Sequence, residues 1–434
     1  MTEVTSGIED AMSQVRDGWS TTATGGADQG TVRRANLSLV LRSLREGGAR
    51  SRARLAADLG LNKATVSSLV TELRERGLVR EGSAERGAVG RPGTIVEVDG
   101  AGAYGVGAEI NVNHVSTRAV DLTGAVVSER RTSVDTRGLE PDEVVDRLVE
   151  LLQGTLADLA ALGTAPVSAV VGVAGLVDRD RGNVAVAANL GWQGVDLAGL
   201  LRAKLGDPDY LLEVDNEANL AAVAEATPGD PERRDILVIH GEVGIGGGIV
   251  ADGRPFPGRR GYAGEFGHIL VDPGGAVCGC GRTGCWETVI GLSHLIDLAA
   301  DGDDDPLRSP LLDLEAKVEE ISRRAAAGDE RTLAALSEVG RWIGTGAAVL
   351  TNVLNPGMIV LSGYLGEIGE WIRDEVEAEL AAGVLAPDAG GTRIALSALG
   401  FSAAVHGAAA VAIDHVYDDP TLVPRVVPTL EVMS

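Results

Sequence analysis

The chain has 434 residues, enough for two or three domains with sizeable cores. Its 44% hydrophobic and 23% charged content excludes a disordered or fibrous chain, and no apolar run reaches membrane-spanning length. A net charge of −25 would argue against nucleic acid if it were evenly spread, but residues 31–94 carry thirteen basic against six acidic groups (net +7) and residues 95–434 twenty-four against fifty-two (net −28). A basic block ahead of an acidic body suits a DNA-binding head. The N-terminus lacks a basic, then apolar, then small-residue signal, so the expected setting is the cytoplasm, with no membrane partner.

Residues 1–30 are polar and aperiodic and read as a disordered leader. The spacing of Leu37, Val40, Leu41 and Leu44 predicts an amphipathic helix over 31–45. Ser51 then caps a short helix, Gly60 makes a tight turn, and Asn62 caps a second helix whose inner stripe is Val66, Leu69, Val70 and Leu73. Ala56, Gly60 and Val66 fall at helix-turn-helix spacing. The plainer alternative is a three-helix bundle with a solvated polar face. In the DNA-binding reading, Ala64, Ser67, Ser68 and Thr71 are small enough to approach base edges, while Arg50, Arg52, Arg54 and Lys63 meet phosphates. Leu78–Arg80 and Thr94–Val98 form a β-hairpin wing, closing a head over 31–98. At its tip, Gly90-Arg91-Pro92-Gly93 presents an extended arginine suited to a minor groove, or is simply a turn.

From Gly100 the pattern becomes α/β: strands Tyr104–Ile110, Val115–Val120 and Ala125–Glu129, a helix over 141–162, and strand Val167–Val173. All three cysteines, Cys278, Cys280 and Cys285, lie within eight residues, ten residues after His268. One imidazole and three thiolates complete a tetrahedral zinc set with no place for water, so the site is structural. Buried thiols beside an unrelated histidine are the plainer alternative, which this clustering disfavours. A helical region follows at 310–350, and an Ala-rich last helix, Ala403–His415, carries Gly407 for tight packing.

Glu265-x-Gly-His268 followed by Cys278-x-Cys280-Gly-x-x-Gly-Cys285-x-Glu287 resembles the signature of the ROK family, which joins sugar-responsive repressors and sugar kinases. The resemblance extends from about Gly105 to His415, and the head resembles the winged helix of the xylose-repressor-like branch, whose members carry a similar Gly-Arg-Pro element. It implies an α/β chain in which an N-terminal winged helix-turn-helix precedes a two-lobed actin-like ATPase fold. Lobe 1 then spans 100–225 and is completed by a helix at 401–416, lobe 2 spans 226–400, and 417–434 is a loose tail. It further implies that Asn189, Asn216, Glu217, Glu265, His268 and Glu287 surround a sugar in the interlobe cleft. Asn355–Gly363 resembles the family's strand and turn beside the adenosine pocket.

The chain departs from the kinase pattern at three places. Family kinases open lobe 1 with Asp-x-Gly-Gly-Thr, where bare backbone turns around ATP phosphates; here the stretch is Glu109-Ile110-Asn111-Val112-Asn113. The second glycine run, Gly244–Gly248, follows Glu242, whose charge repels a triphosphate. The catalytic aspartate of Asn-Asp-Ala-Asn is replaced by Glu217, whose extra methylene displaces the carboxylate by roughly 1 Å, a cost of about a hundredfold. The expected protein is therefore a non-catalytic, zinc-stabilised, sugar-responsive transcriptional regulator, a repressor without sugar-phosphorylating activity, acting on operator DNA as a homodimer or homotetramer. Alternatives are a bifunctional sugar kinase with a DNA-binding head, or a zinc-stabilised scaffold that binds neither.

Overall fold

The computed structural model describes residues 29–82, 94–226, 230–386 and 391–425. Helix α1 (Gln29–Gly47) buries the predicted stripe Leu37, Val40, Leu41 and Leu44. Strand β1 (Arg50–Ser51) leads to α2 (Arg52–Asp58), whose Arg54 N–H is accepted by the Ser51 hydroxyl at 3.3 Å. Helix α3 (Lys63–Glu75) is capped by Asn62, which accepts from Thr65 N–H at 2.8 Å. Gly60 makes the turn between them at φ +65°, a conformation that costs glycine nothing. The wing pairs β2 (Val79–Gly82) with β3 (Ile95–Val98), and β1 adds to the far side of β3. Its tip, with Arg91, lies outside the described residues.

Lobe 1 is a five-stranded sheet of β4 (Tyr104–Ile110), β5 (His114–Asp121), β6 (Val126–Ser133), β7 (Ser168–Val173) and β11 (Leu211–Asn216), in the order β11-β7-β4-β5-β6. Helix α4 (Pro141–Ala161) lies between β6 and β7 in sequence. A small sheet of β8 (Leu176–Asp178), β9 (Asn183–Ala187) and β10 (Trp192–Val195) follows β7, then α5 (Leu197–Leu205), and α6 (Glu217–Glu225) comes after β11. Lobe 2 repeats the wiring. Its strands β12 (Ile236–Gly241), β13 (Ile245–Ala251), β14 (Arg254–Pro255), β15 (Met358–Gly363) and β16 (Arg393–Leu396) take the order β14-β13-β12-β15-β16, again an antiparallel meander beside parallel strands. Its helices are α7 (Glu287–Ile290), α8 (Leu292–Ala299), α9 (Leu314–Ala326), α10 (Glu330–Leu354), α11 (Tyr364–Glu367) and α12 (Gly369–Gly383). In both lobes the first hairpin turn opens onto the cleft between them, which sets the chemistry there.

Helix α13 (Ala403–Asp418) returns to lobe 1 and packs on β4 and α6. A Cβ on Gly407 would sit 1.7 Å from the Leu220 carbonyl oxygen, and one on Gly107 would sit 2.4 Å from Ala409 N. These glycines allow backbone-to-backbone approach that alanine would forbid. The outer side of α13 meets the head: Leu37, Leu41, Leu73, Leu122, Ile413, Val416 and Tyr417 belong to one buried cluster. Arg42 pairs with Asp418 at 2.5 Å, Arg45 contacts Asp414, and the Arg45 guanidinium lies 4.5 Å over the Tyr417 ring.

The expected loose tail needs correcting over its described part. Residues 417–425 run back across the head, with Arg76 donating to the Val423 carbonyl at 2.6 Å and Arg425 pairing with Glu72 at 2.8 Å. Tyr417 and Val423 supply apolar area to the shared core.

Candidate functional site

The metal loop is built by close turns. Cys278 N–H donates to the Arg282 carbonyl at 2.7 Å and Gly281 N–H to the Cys278 carbonyl at 2.9 Å. Gly284, at φ +77°, leaves no room for a Cβ, which would lie 1.8 Å from the Asp272 carbonyl oxygen. Trp286 anchors the loop to lobe 2: fully buried, it donates from Nε1 to the Trp342 carbonyl at 2.8 Å, over the bare backbone of Gly346.

The ligand atoms of His268, Cys278, Cys280 and Cys285 all lie within 4.8 Å of one another. Cys280 Sγ is 3.6 Å from Cys285 Sγ, and Cys278 Sγ is 3.7 Å from His268 Nδ1. Two sulfurs each 2.3 Å from a tetrahedral zinc would be about 3.8 Å apart, so the set fits that ion. Burial pushes the Cys278 thiol up to about 12, while Arg282 brings Cys280 down to about 7 against the same effect. With Nδ1 turned to the sulfurs, the other ring nitrogen of His268 is left for the cleft.

All six residues expected around a sugar line one interlobe cavity of about 360 Å³. Lobe 1 supplies Asn189, Asn216 and Glu217; lobe 2 supplies Glu265, His268 and Glu287. The carboxylates crowd one another. Burial, then repulsion from Glu287, raises Glu265 above its ordinary value, and burial raises Glu217 well above, with Glu242, Glu265 and Glu109 adding repulsion. Asn216 has less freedom than expected: its oxygen caps α6 at Ala218 and Asn219 N–H (2.9 and 3.0 Å), and its amide donates to the Gly175 carbonyl at 2.9 Å. It positions Glu217, to which it also donates at 3.0 Å. Glu287 accepts from Ile245 N–H at 2.9 Å, which ties the metal loop to the turn after β12.

Trp192 is core, 4% exposed. Asp215 and Glu225 are buried and paired with Arg179 (3.1 Å) and Arg233 (3.0 Å).

The two hairpin turns that would hold ATP phosphates in a kinase meet each other here. Val112 is buried, and the Asn111 amide donates to Glu109 at 3.0 Å and, across the cleft, to Glu242. His240 continues the network, 3.1 Å from Glu242 and 3.2 Å from the Ser362 hydroxyl. Glu109 faces His114 at 3.5 Å; burial opposes both charges, but each favours the other's charged form, shifting the carboxylate down and the imidazole up. His240 was not singled out from sequence, because its role depends on β12 and β15 lying side by side, a pairing of residues 122 apart.

On the head, Lys63, Ala64 and Ser68 are exposed on α3, and Ser68 accepts from Arg33 at 3.2 Å. Thr71 bonds back to the Ser67 carbonyl at 2.9 Å. The arginines assigned to phosphates are engaged within the head: Arg50 and Arg54 both hold Asp58 (2.8 and 2.9 Å), and Arg52 holds Glu81 at 2.6 Å while donating to the Ser67 carbonyl. Among the four, Lys63 is left without an ion pair in the described residues.

Comparison with known proteins gives consistent matches. The model described as "ROK family" matches residues 106–415, and that of the IclR helix-turn-helix domain matches 35–83. The xylose repressor of Bacillus subtilis is 27% identical over 399 residues, covering 91% of this chain and 99% of its own. A glucokinase of Streptomyces coelicolor is 30% identical over 282 residues, covering 62% and 85%. Among solved structures, a ROK family transcriptional regulator described as a homolog of the E. coli MLC protein superposes with TM-score 0.74 at 23% identity, covering 91% of this chain and 99% of that one. A ROK family glucokinase from Streptomyces griseus, in complex with glucose and AMPPNP, gives 0.59 at 28% identity, covering 71% and 99%.

Proposed function

The chain belongs to the ROK family, and from that premise we propose that it is a sugar-responsive transcriptional regulator, a repressor in sign, whose winged helix binds operator DNA and whose body has lost kinase activity. One observation carries the reading: the sugar-facing side chains converge on a single cleft while the two phosphate turns beside it are closed on each other through Asn111 and Glu242. A triphosphate would have to displace that contact and lie against Val112 and buried carboxylates. The relation to the Bacillus subtilis xylose repressor over nearly the whole chain supports the same reading.

In this reading the sugar's hydroxyls bind Asn189 and Glu217 on one lobe and Glu265, His268 and Glu287 on the other. A ligand that contacts both lobes favours the closed cleft by its difference in affinity between closed and open forms. Zinc, held by His268, Cys278, Cys280 and Cys285, would supply a fixed loop and no chemistry. The head shares its core with α13 and lobe 1, so a change in lobe angle changes the head's position relative to lobe 2. Two heads in a homodimer or homotetramer would then fit or miss an inverted-repeat operator. Such a protein works in the cytoplasm.

The test is titration of zinc-loaded protein with a panel of pentoses, hexoses and N-acetylated sugars, followed by operator binding with and without the responding sugar. One sugar should bind, alter operator affinity at least fivefold, and lose binding in Glu265→Gln and Glu287→Gln. Brisk ATP consumption with a sugar present would instead establish the bifunctional kinase.

A further inference from the structure

A second concave site lies behind the sugar-facing loops, and its chemistry is opposite. Its volume is about 560 Å³, and it straddles the lobes. Arg179 and Arg181 come from the β8–β9 turn and Arg202 from α5, while Arg259 and Arg260 come from lobe 2. Gly261, at φ +91°, presses that loop onto lobe 1, where a Cβ would be 2.8 Å from the Val177 carbonyl oxygen. The acidic side chains on the rim are Asp180 and Glu213, and Glu213 is turned toward His415 at 3.4 Å. Arg179 is neutralised by Asp215 at 3.1 Å, and Arg202 donates to the Leu212 carbonyl at 3.1 Å. The Arg181, Arg259 and Arg260 guanidinium groups have no ion pair or hydrogen bond among the described residues.

In a body of net charge −28, unpaired guanidinium groups from two lobes facing one hollow call for an anion from outside the chain. Arginine forks bind phosphate oxygens with two parallel bonds each, and a phosphate monoester can accept from several at once. The volume falls within the usual range of small-molecule sites, about 300–1,000 Å³, and is too confined for a duplex or a folded partner. We propose that this cleft binds a small phosphorylated metabolite, and that the anion bridges the lobes. The coupling route is short: Arg259 and Arg260 immediately precede the loop carrying Glu265 and His268, and Arg179 holds Asp215, the neighbour of Asn216. The anion would thus modulate the sugar cleft from its other side.

The test is calorimetric titration of the full, zinc-loaded chain at low salt with fructose 1,6-bisphosphate, alongside inorganic phosphate and unphosphorylated fructose. The bisphosphate should bind one per chain more tightly than phosphate, and R259A/R260A and R181A should each weaken it at least tenfold with the melting temperature retained. Any binding of fructose should survive R259A/R260A, which keeps this test separate from that of the sugar cleft. K63A, on the DNA-binding head, should leave bisphosphate binding intact. The proposal is overturned by no binding at millimolar bisphosphate, by equal binding in R259A/R260A, or by loss in K63A, which would put the anion on the head. It is equally overturned if R259A/R260A lowers operator affinity while bisphosphate binding is unchanged, since the cleft would then be a DNA contact.

Discussion

Glu72 gathers three guanidinium groups on the inner side of α3: Arg33 at 2.6 Å, Arg76 at 2.9 Å and Arg425 at 2.8 Å. Burial raises its pKa, but the three arginines more than offset this and hold it at about 2. A depressed carboxylate stabilises the fold above its unfolded value near 4.5 and loses that contribution as pH falls through about 2. Glu72→Gln should therefore cost about 2 kcal/mol at pH 6, with the gap to wild type closing toward pH 2, read from urea unfolding at several pH values. The metal residues give a second residue-scale prediction. Elemental analysis should find one zinc per chain, and Cys278→Ser or chelation should lower the melting temperature and abolish sugar binding together, because the metal loop also carries Glu287. At this scale the sequence was most legible where chemistry is local. The cysteine spacing and the caps at Ser51 and Asn62 needed no tertiary information, whereas the engagement of Arg50 and Arg52 by Asp58 and Glu81 arises from the folded head.

Among the elements, α13 and α6 form the contact on which lobe 1 closes. Gly407 meets the Leu220 carbonyl with no space for a side chain, so Gly407→Ala should force the helices apart and cost about 1–3 kcal/mol by overpacking. Thermal unfolding measures that cost. Because α6 begins at Glu217 in the interlobe cleft, the same variant should weaken the proposed sugar binding without altering a cleft-lining side chain. The helix stripes and the alternation of strands were visible in the sequence because their periods are short. The partners of each strand were not, since β12 joins β15 across more than a hundred residues.

For the whole molecule, the head is an extension of lobe 1. Leu122 of lobe 1, Ile413 and Tyr417 of α13, and Leu37 and Leu73 of the head share one core, and the segment 419–425 straps it from outside. Calorimetry should therefore show head and lobe 1 melting in one transition. Removing residues 1–98 should destabilise the remaining body and expose Leu122 and Tyr417, detectable as increased binding of a hydrophobic dye. A flexibly linked head would melt separately and leave the body unchanged.

Composition and local spacing were enough for the basic head, the helix-turn-helix and the clustering of Cys278, Cys280 and Cys285 near His268, because each depends on residues a few positions apart. Only the tertiary structure decided that Asn111 and Glu242 join the first hairpin turns of the two lobes, that the C-terminal segment binds the head, and that five arginines line one hollow. Those arrangements join residues distant in the chain, and their energies arise from burial and proximity, which a linear sequence does not contain.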